Sequence, residues 1–120
     1  RETMSINVLK DRAPPFVRLS DGSVRNAYTL KIVNKASDER EFLIGLESEA
    51  DLTLSAVGAD VEDGVLRLTV AGDDVRAVRI FVTAAPGDAA AADTPLTVTV
   101  EDSAGEKTSA RTVFMTERKP

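Results

Sequence analysis

The chain has no cysteine, no histidine and no tryptophan, and aromatic residues make up 4% of its 120 positions. Without cysteine it can hold no disulfide, no iron–sulfur cluster and no thiol nucleophile. Without histidine it loses the commonest general base and the commonest zinc ligand. The absence of cysteine does not fix a compartment, since oxidising and reducing compartments both contain domains without it. No stretch approaches the ~20 apolar residues of a membrane helix, and no basic segment followed by an apolar one opens the chain as a secretory signal would. The first residues, Arg1-Glu2-Thr3, include no initiator methionine, which leads us to expect a piece of a longer protein. Clustered positive charge is also lacking. The net charge is −5, and the fifteen basic residues are scattered, with Arg118-Lys119 the longest basic group. Phosphate backbones require clustered Lys and Arg, so nucleic acid is not an expected partner.

What is present suits one domain with a core of its own: hydrophobic residues make up 42% of the chain, and its length is near that of a typical domain. Apolar residues recur with period two. Tyr28-Leu30-Ile32, Phe42-Ile44-Leu46, Leu66-Leu68-Val70, Val78-Ile80-Val82, Leu96-Val98-Val100 and Val113-Met115 each place apolar side chains on one face of a strand. Shorter candidates are Ile6-Val8, Phe16 with Val17, and Leu52-Leu54. Between them lie turn signals at Asp21-Gly22, Asn34 to Asp38, Gly58, Asp63-Gly64, Gly72-Asp73-Asp74, Pro86-Gly87 and Ala104-Gly105. Short alternating strands separated by turn chemistry predict an all-β, immunoglobulin-like sandwich of seven to nine mostly antiparallel strands. Val78 to Val82, where Phe81 adds a further apolar residue, is the strand expected to be covered on both faces. Ala84 to Ala92 has helix-favouring alanines but no apolar stripe, and Pro86-Gly87 and Pro95 interrupt it, so it reads as a surface loop. Pro14-Pro15 cannot donate to a sheet ladder and is expected to mark an edge strand crossing between sheets.

Each residue that could carry chemistry also has a plainer reading. Asp60, Glu62 and Asp63 before Gly64, and Asp73-Asp74 after Gly72, could hold calcium or pair as acid and base. They lack the alternating ligand spacing of a calcium loop, and aspartates at turns bond their own backbone. None of the serines, at positions 5, 20, 23, 37, 48, 55, 103 and 109, has a histidine to activate it, and no Gly-rich phosphate loop follows a strand. Met4 and Met115 are soft ligands for copper(I), but without a third one they read as packing. The hydroxyl of Tyr28 could meet a ligand or could reach backbone from an aromatic body in the core. Asp11 and Arg12, adjacent on a strand, point to opposite faces and need separate partners; Arg12 reads as a structural pair or as a binding group. No catalytic, cofactor-binding or metal-binding residue is assigned.

The stretch "VLKDRAPPFVRLSDGSVRNAYTLKIVNK", Val8 to Lys35, followed by "EFLIGLE", resembles the C-terminal immunoglobulin-like domain of the FixG/RdxA/CcoG family of cytochrome c oxidase accessory proteins. The residues that carry the resemblance are Val8, Leu9, Asp11, Arg12, Asp21, Gly22, Asn26, Tyr28, Leu30, Lys31, Ile32, Asn34 and Lys35. Ala13 departs from the pattern, which often has Asn there. The resemblance implies that residues 1–120 are one domain cut from a larger membrane-anchored protein carrying two 4Fe–4S clusters. This domain would be its soluble tail on the periplasmic side of the bacterial inner membrane. The implied role is assembly of the cbb3-type cytochrome oxidase, with reduction of copper on the way. This domain would hold no cofactor and would meet protein partners such as oxidase subunits or assembly factors. An edge near Pro14-Pro15 or the alanine-rich loop is the expected docking place. The alternative class is a free-standing immunoglobulin-like adhesion or carbohydrate-binding module, although the scarcity of aromatics argues against sugar binding.

Overall fold

A computed structural model describes residues 3–86 and 93–116. Ten strands make up its regular structure: β1 (Met4–Lys10), β2 (Val17–Arg18), β3 (Val24–Asn34), β4 (Arg40–Glu47), β5 (Leu52–Ala56), β6 (Val61–Glu62), β7 (Val65–Val70), β8 (Asp74–Ala84), β9 (Asp93–Asp102) and β10 (Lys107–Met115). They form two sheets. In the first the order is β1-β3-β8-β5, with β2 also paired to β3; in the second it is β10-β9-β4-β7-β6. Every pairing is antiparallel. The count exceeds the expected seven to nine because β2 and β6 are fragments of two residues each. β6 exists because Asp63 (φ 52°) and Gly64 (φ 78°) form a tight two-residue turn into β7. Such left-handed turns match the twist of paired strands.

The alternation read in the sequence becomes the core. Tyr28, Leu30 and Ile32 of β3 face Phe42 and Ile44 of β4, Leu66, Leu68 and Val70 of β7, and Val98 and Val100 of β9, all buried between the sheets. Burying one such side chain contributes about 1.5–3 kcal/mol. At the β7–β8 turn, a Cβ on Gly72 would lie 2.2 Å from the carbonyl oxygen of Ser37. Glycine is therefore required there by the close approach of the Asn34–Asp38 turn.

Three expectations are corrected. Pro14-Pro15 does not carry the chain between sheets, because β1 and β2 both pair with β3 along the same edge. The ladder continues through Asp11, whose N–H donates to the carbonyl of Ala27 at 2.9 Å. It resumes at Val17, opposite Arg25. Residues 12–16 bulge out between these points, where two prolines can contribute no N–H. In β10 the inward residue is Phe114, fully buried, while Val113 is 39% exposed; the inward face lies one residue off the Val113-Met115 alternation, and a shift of one moves every side chain to the other face. In β8, Phe81 is half-buried beneath a guanidinium instead of a second apolar layer: the Arg25 cation lies 4.4 Å from its ring centre. Of the expected Pro86-Gly87 turn and alanine-rich loop, residues 87–92 lie outside the described residues, as does Arg118-Lys119.

Candidate functional site

The polar residues of the Val8–Lys35 motif are distributed along β3 and its flanking turns, and the structure gives most of them a definite partner. Asn26 and Tyr28 share the inward face of β3 with Leu30 and Ile32. The Asn26 side chain donates to the Met115 carbonyl at 2.8 Å and accepts from the Met115 N–H at 2.8 Å. It acts like a strand residue, pairing the end of β10, in the second sheet, to β3 in the first. The Tyr28 hydroxyl donates to the Val113 carbonyl at 2.7 Å, and burial pushes its phenol pKa well above the ordinary value. At the other end of β3, Asn34 donates to the carbonyls of Asp38 (3.0 Å) and Val70 (3.1 Å) and accepts from the Ala36 N–H (3.0 Å). Asn26, Tyr28 and Asn34 thus tie the two sheets together at both ends of one strand.

The turn residues are equally local. Asp21 accepts from the N–H of Ser23 at 2.9 Å and from its hydroxyl at 2.6 Å, and these bonds hold its carboxyl below the usual range. Gly22 occupies the left-handed region (φ 91°) with its N–H on the Leu19 carbonyl at 2.9 Å. Asp11 does not pair with Arg12. Its two carboxylate oxygens receive the two terminal nitrogens of Arg79 on β8, at 2.7 and 2.8 Å, and this forked contact lowers the Asp11 pKa. Arg12 lies exposed in the bulge. Lys10 reaches over that bulge to the carbonyls of Asp11, at 3.1 Å, and Pro15.

The soft-ligand pair is separated. Met4 is opposite Asn34 in the β1–β3 register, whereas Met115 bonds Asn26, eight residues back along β3. At ~3.3 Å per residue the two methionines are roughly 26 Å apart, so they cannot ligate one ion together. Among the described residues no group of three or more acidic side chains converges in a way that could hold a metal ion. Every buried side-chain nitrogen or oxygen among them has a hydrogen-bond partner.

One polar cluster was not read from the sequence. Asp102, buried in the β9–β10 turn, accepts from the N–H groups of Ala104 (3.0 Å) and Glu106 (2.8 Å) and from Arg40 (3.0 Å). Arg40 also donates to the Thr3 hydroxyl at 3.2 Å. Glu106 accepts from the Thr3 N–H at 3.1 Å and from its hydroxyl, which lowers the Glu106 pKa. The signal was available: Arg40 occupies the inward parity of β4 set by Phe42 and Ile44, where a charge needs a partner. The cluster fastens the start of β1 and the start of β4 to one hairpin. It is a clasp made of structural contacts.

Two packed antiparallel sheets with this alternating buried core make an immunoglobulin-like β-sandwich. Residues 1–117 match the family described as the IG-like fold at the C-terminal of FixG, itself called there a proposed oxidoreductase, and the chain belongs to that family. It is 37% identical over 117 residues to the protein RdxB of Cereibacter sphaeroides, covering 95% of this chain and 24% of RdxB. It is 35% identical over 103 residues to the nitrogen fixation protein FixG of Rhizobium meliloti, covering 85% of this chain and 20% of FixG. The chain therefore spans about a quarter of the length of these relatives or less. Its fold is also that of a FixG-related protein from Vibrio parahaemolyticus solved as a crystal structure, with a TM-score of 0.80 at 20% identity over 96% of this chain and 97% of that one.

Proposed function

We propose that this domain is a non-catalytic interaction or positioning module of a FixG-type protein. In this reading the parent is anchored in the bacterial inner membrane, carries two 4Fe–4S clusters outside these residues, and takes part in assembling the cbb3-type cytochrome oxidase with reduction of copper. The domain is its periplasmic tail and meets protein partners, oxidase subunits or assembly factors. Membership of the FixG family supports the parentage. One observation carries the non-catalytic reading: Asn26, Tyr28 and Asn34 direct their side chains to the main chain of Met115, Val113 and Val70. No cysteine exists here to ligate a cluster. The test is deletion of the domain from the full-length parent in cells. Assembled oxidase falls while the parent still accumulates in the membrane; oxidase assembly at the undeleted level overturns the reading.

A further inference from the structure

The outward side of the first sheet differs from the rest of this acidic molecule. Strand parity places Ser5, Asn7 and Leu9 of β1, Val17 of β2, alternate residues Arg25 to Val33 of β3, alternate residues Val75 to Thr83 of β8, and Thr53 and Ser55 of β5 on that side. No Asp or Glu occurs among these strand positions. The basic residues are Arg25, Lys31 and Arg79. Carboxylates continue this side only beyond the strand ends, at Asp11, Asp51 and Asp73, and Asp11 is already held by Arg79. Among its strand positions Arg25 and Lys31 therefore remain as positive charges outside that pair, in a chain whose net charge is −5.

Apolar exposure is concentrated on the same side. The three most exposed large apolar side chains among the described residues are Leu9 (57%), Val57 (56%) and Val75 (52%). Leu9 and Val75 belong to the face by register. Val57 joins it because its N–H donates to the Arg79 carbonyl at 3.0 Å, extending β5 by one outward position. Phe81 lies between the two arginines, 4.4 Å from the Arg25 cation and 6.0 Å from that of Arg79. Stacking on an aromatic ring fixes a guanidinium before any partner arrives, so less side-chain entropy is lost when a carboxylate binds it.

Resting on the reading of the domain as an interaction module, we propose that the outer face of the first sheet docks an acidic polypeptide segment of a protein partner. Its carboxylates meet Arg25 and Lys31, and its apolar side chains lie on Leu9, Val57 and Phe81. The charge distribution decides among the possible occupants. A second copy of the same face would bring like charges together. An anionic bilayer or a nucleic acid is an extended negative surface that overlaps the borders of this face, where Asp51 and Asp73 repel it. A polypeptide segment senses only what lies within a screening length of ~8–10 Å, and there the face is positive. The face of this five-stranded sheet presents roughly 600 Å², below the ~800 Å² per partner of a stable standard interface, so the contact is transient.

The test uses the full-length parent in its membrane, with a photo-crosslinking residue placed either at Ala77, exposed beside Lys31 on this face, or at Thr99 on the outer face of the second sheet. We expect the Ala77 probe to give protein adducts whose crosslinked peptide is rich in Asp and Glu. Their yield should fall about tenfold when Arg25→Glu and Lys31→Glu are combined, in a variant whose thermal unfolding shows that it still folds. Adducts to lipid alone, adducts to a peptide without acidic residues, insensitivity to the charge reversal, or no adduct at Ala77 would each overturn the proposal. Protein adducts at Thr99 but not at Ala77 would reject this face while leaving the interaction role standing.

Discussion

Tyr28 is the only tyrosine in a chain without tryptophan, so its ionisation can be followed alone. Burial raises its folded pKa above the unfolded value. The stability linked to it is therefore fully present below about pH 10, the unfolded value, and is lost as pH rises beyond that. An alkaline titration should show no gradual phenolate absorbance near pH 10; the signal should appear together with loss of β-sheet circular dichroism. A smooth phenolate titration in folded protein would mean that the hydroxyl is not buried against Val113. At Asn26 the prediction is stability. Asn26→Ala leaves both the N–H and the carbonyl of Met115 without their partner and should cost about 1–3 kcal/mol in urea unfolding. Tyr28→Phe, which removes one hydrogen bond, should cost about 1 kcal/mol. The sequence marked these residues as a motif, and alternation placed Tyr28 inside. Their partners were not legible, because Met115 is 89 positions from Asn26 and nothing local to β3 indicates which strand end crosses it. Asp11 shows the same limit: its neighbour Arg12 was in view, and its actual partner Arg79 is 68 positions away.

Elements were read well where large apolar residues alternate with polar ones. β3, β7 and β9 keep the inward faces that period two assigned, because each has a polar residue between its apolar positions; β4 keeps its face too, with Phe42 and Ile44 buried, although Leu43 lies between them. β10 failed for a physical reason: Val113, Phe114 and Met115 are consecutive apolar residues, so alternation alone cannot choose a face. Packing chose the larger Phe114. Phe114→Ala should cost about 3–5 kcal/mol, the range for deleting a buried aromatic ring, and Val113→Ala less than about 0.5 kcal/mol, as for an exposed position. Equal costs in chemical denaturation would mean that the β10 register is wrong. The proline step was misread because a missing N–H ends a ladder locally without saying whether the chain leaves the sheet. Here Asp11 and Val17 hold the same edge on either side of the bulge.

At the scale of the whole molecule, the fold class and the kinship were legible from composition, periodicity and one stretch of twenty-eight residues. The proposed working surface was not, because a face assembled from β1, β2, β3, β5 and β8 has no sequence-local signature. Its charge emerges only when register aligns Arg25, Lys31 and Arg79 on one side. The motif spans both sides of the sheet, with Asn26, Tyr28 and Asn34 inside and Leu9 and Lys31 on the proposed surface. The inward residues of β3 hold the sandwich, and in our proposal the outward ones meet a partner. The central claim is that no chemistry of the parent resides in these residues. It is tested most directly by purifying the parent with and without the domain and measuring iron–sulfur content and the rate of copper(II) reduction. The account predicts that both are unchanged by removing the domain. Loss of the clusters, or of the reduction rate at full cluster content, would contradict it.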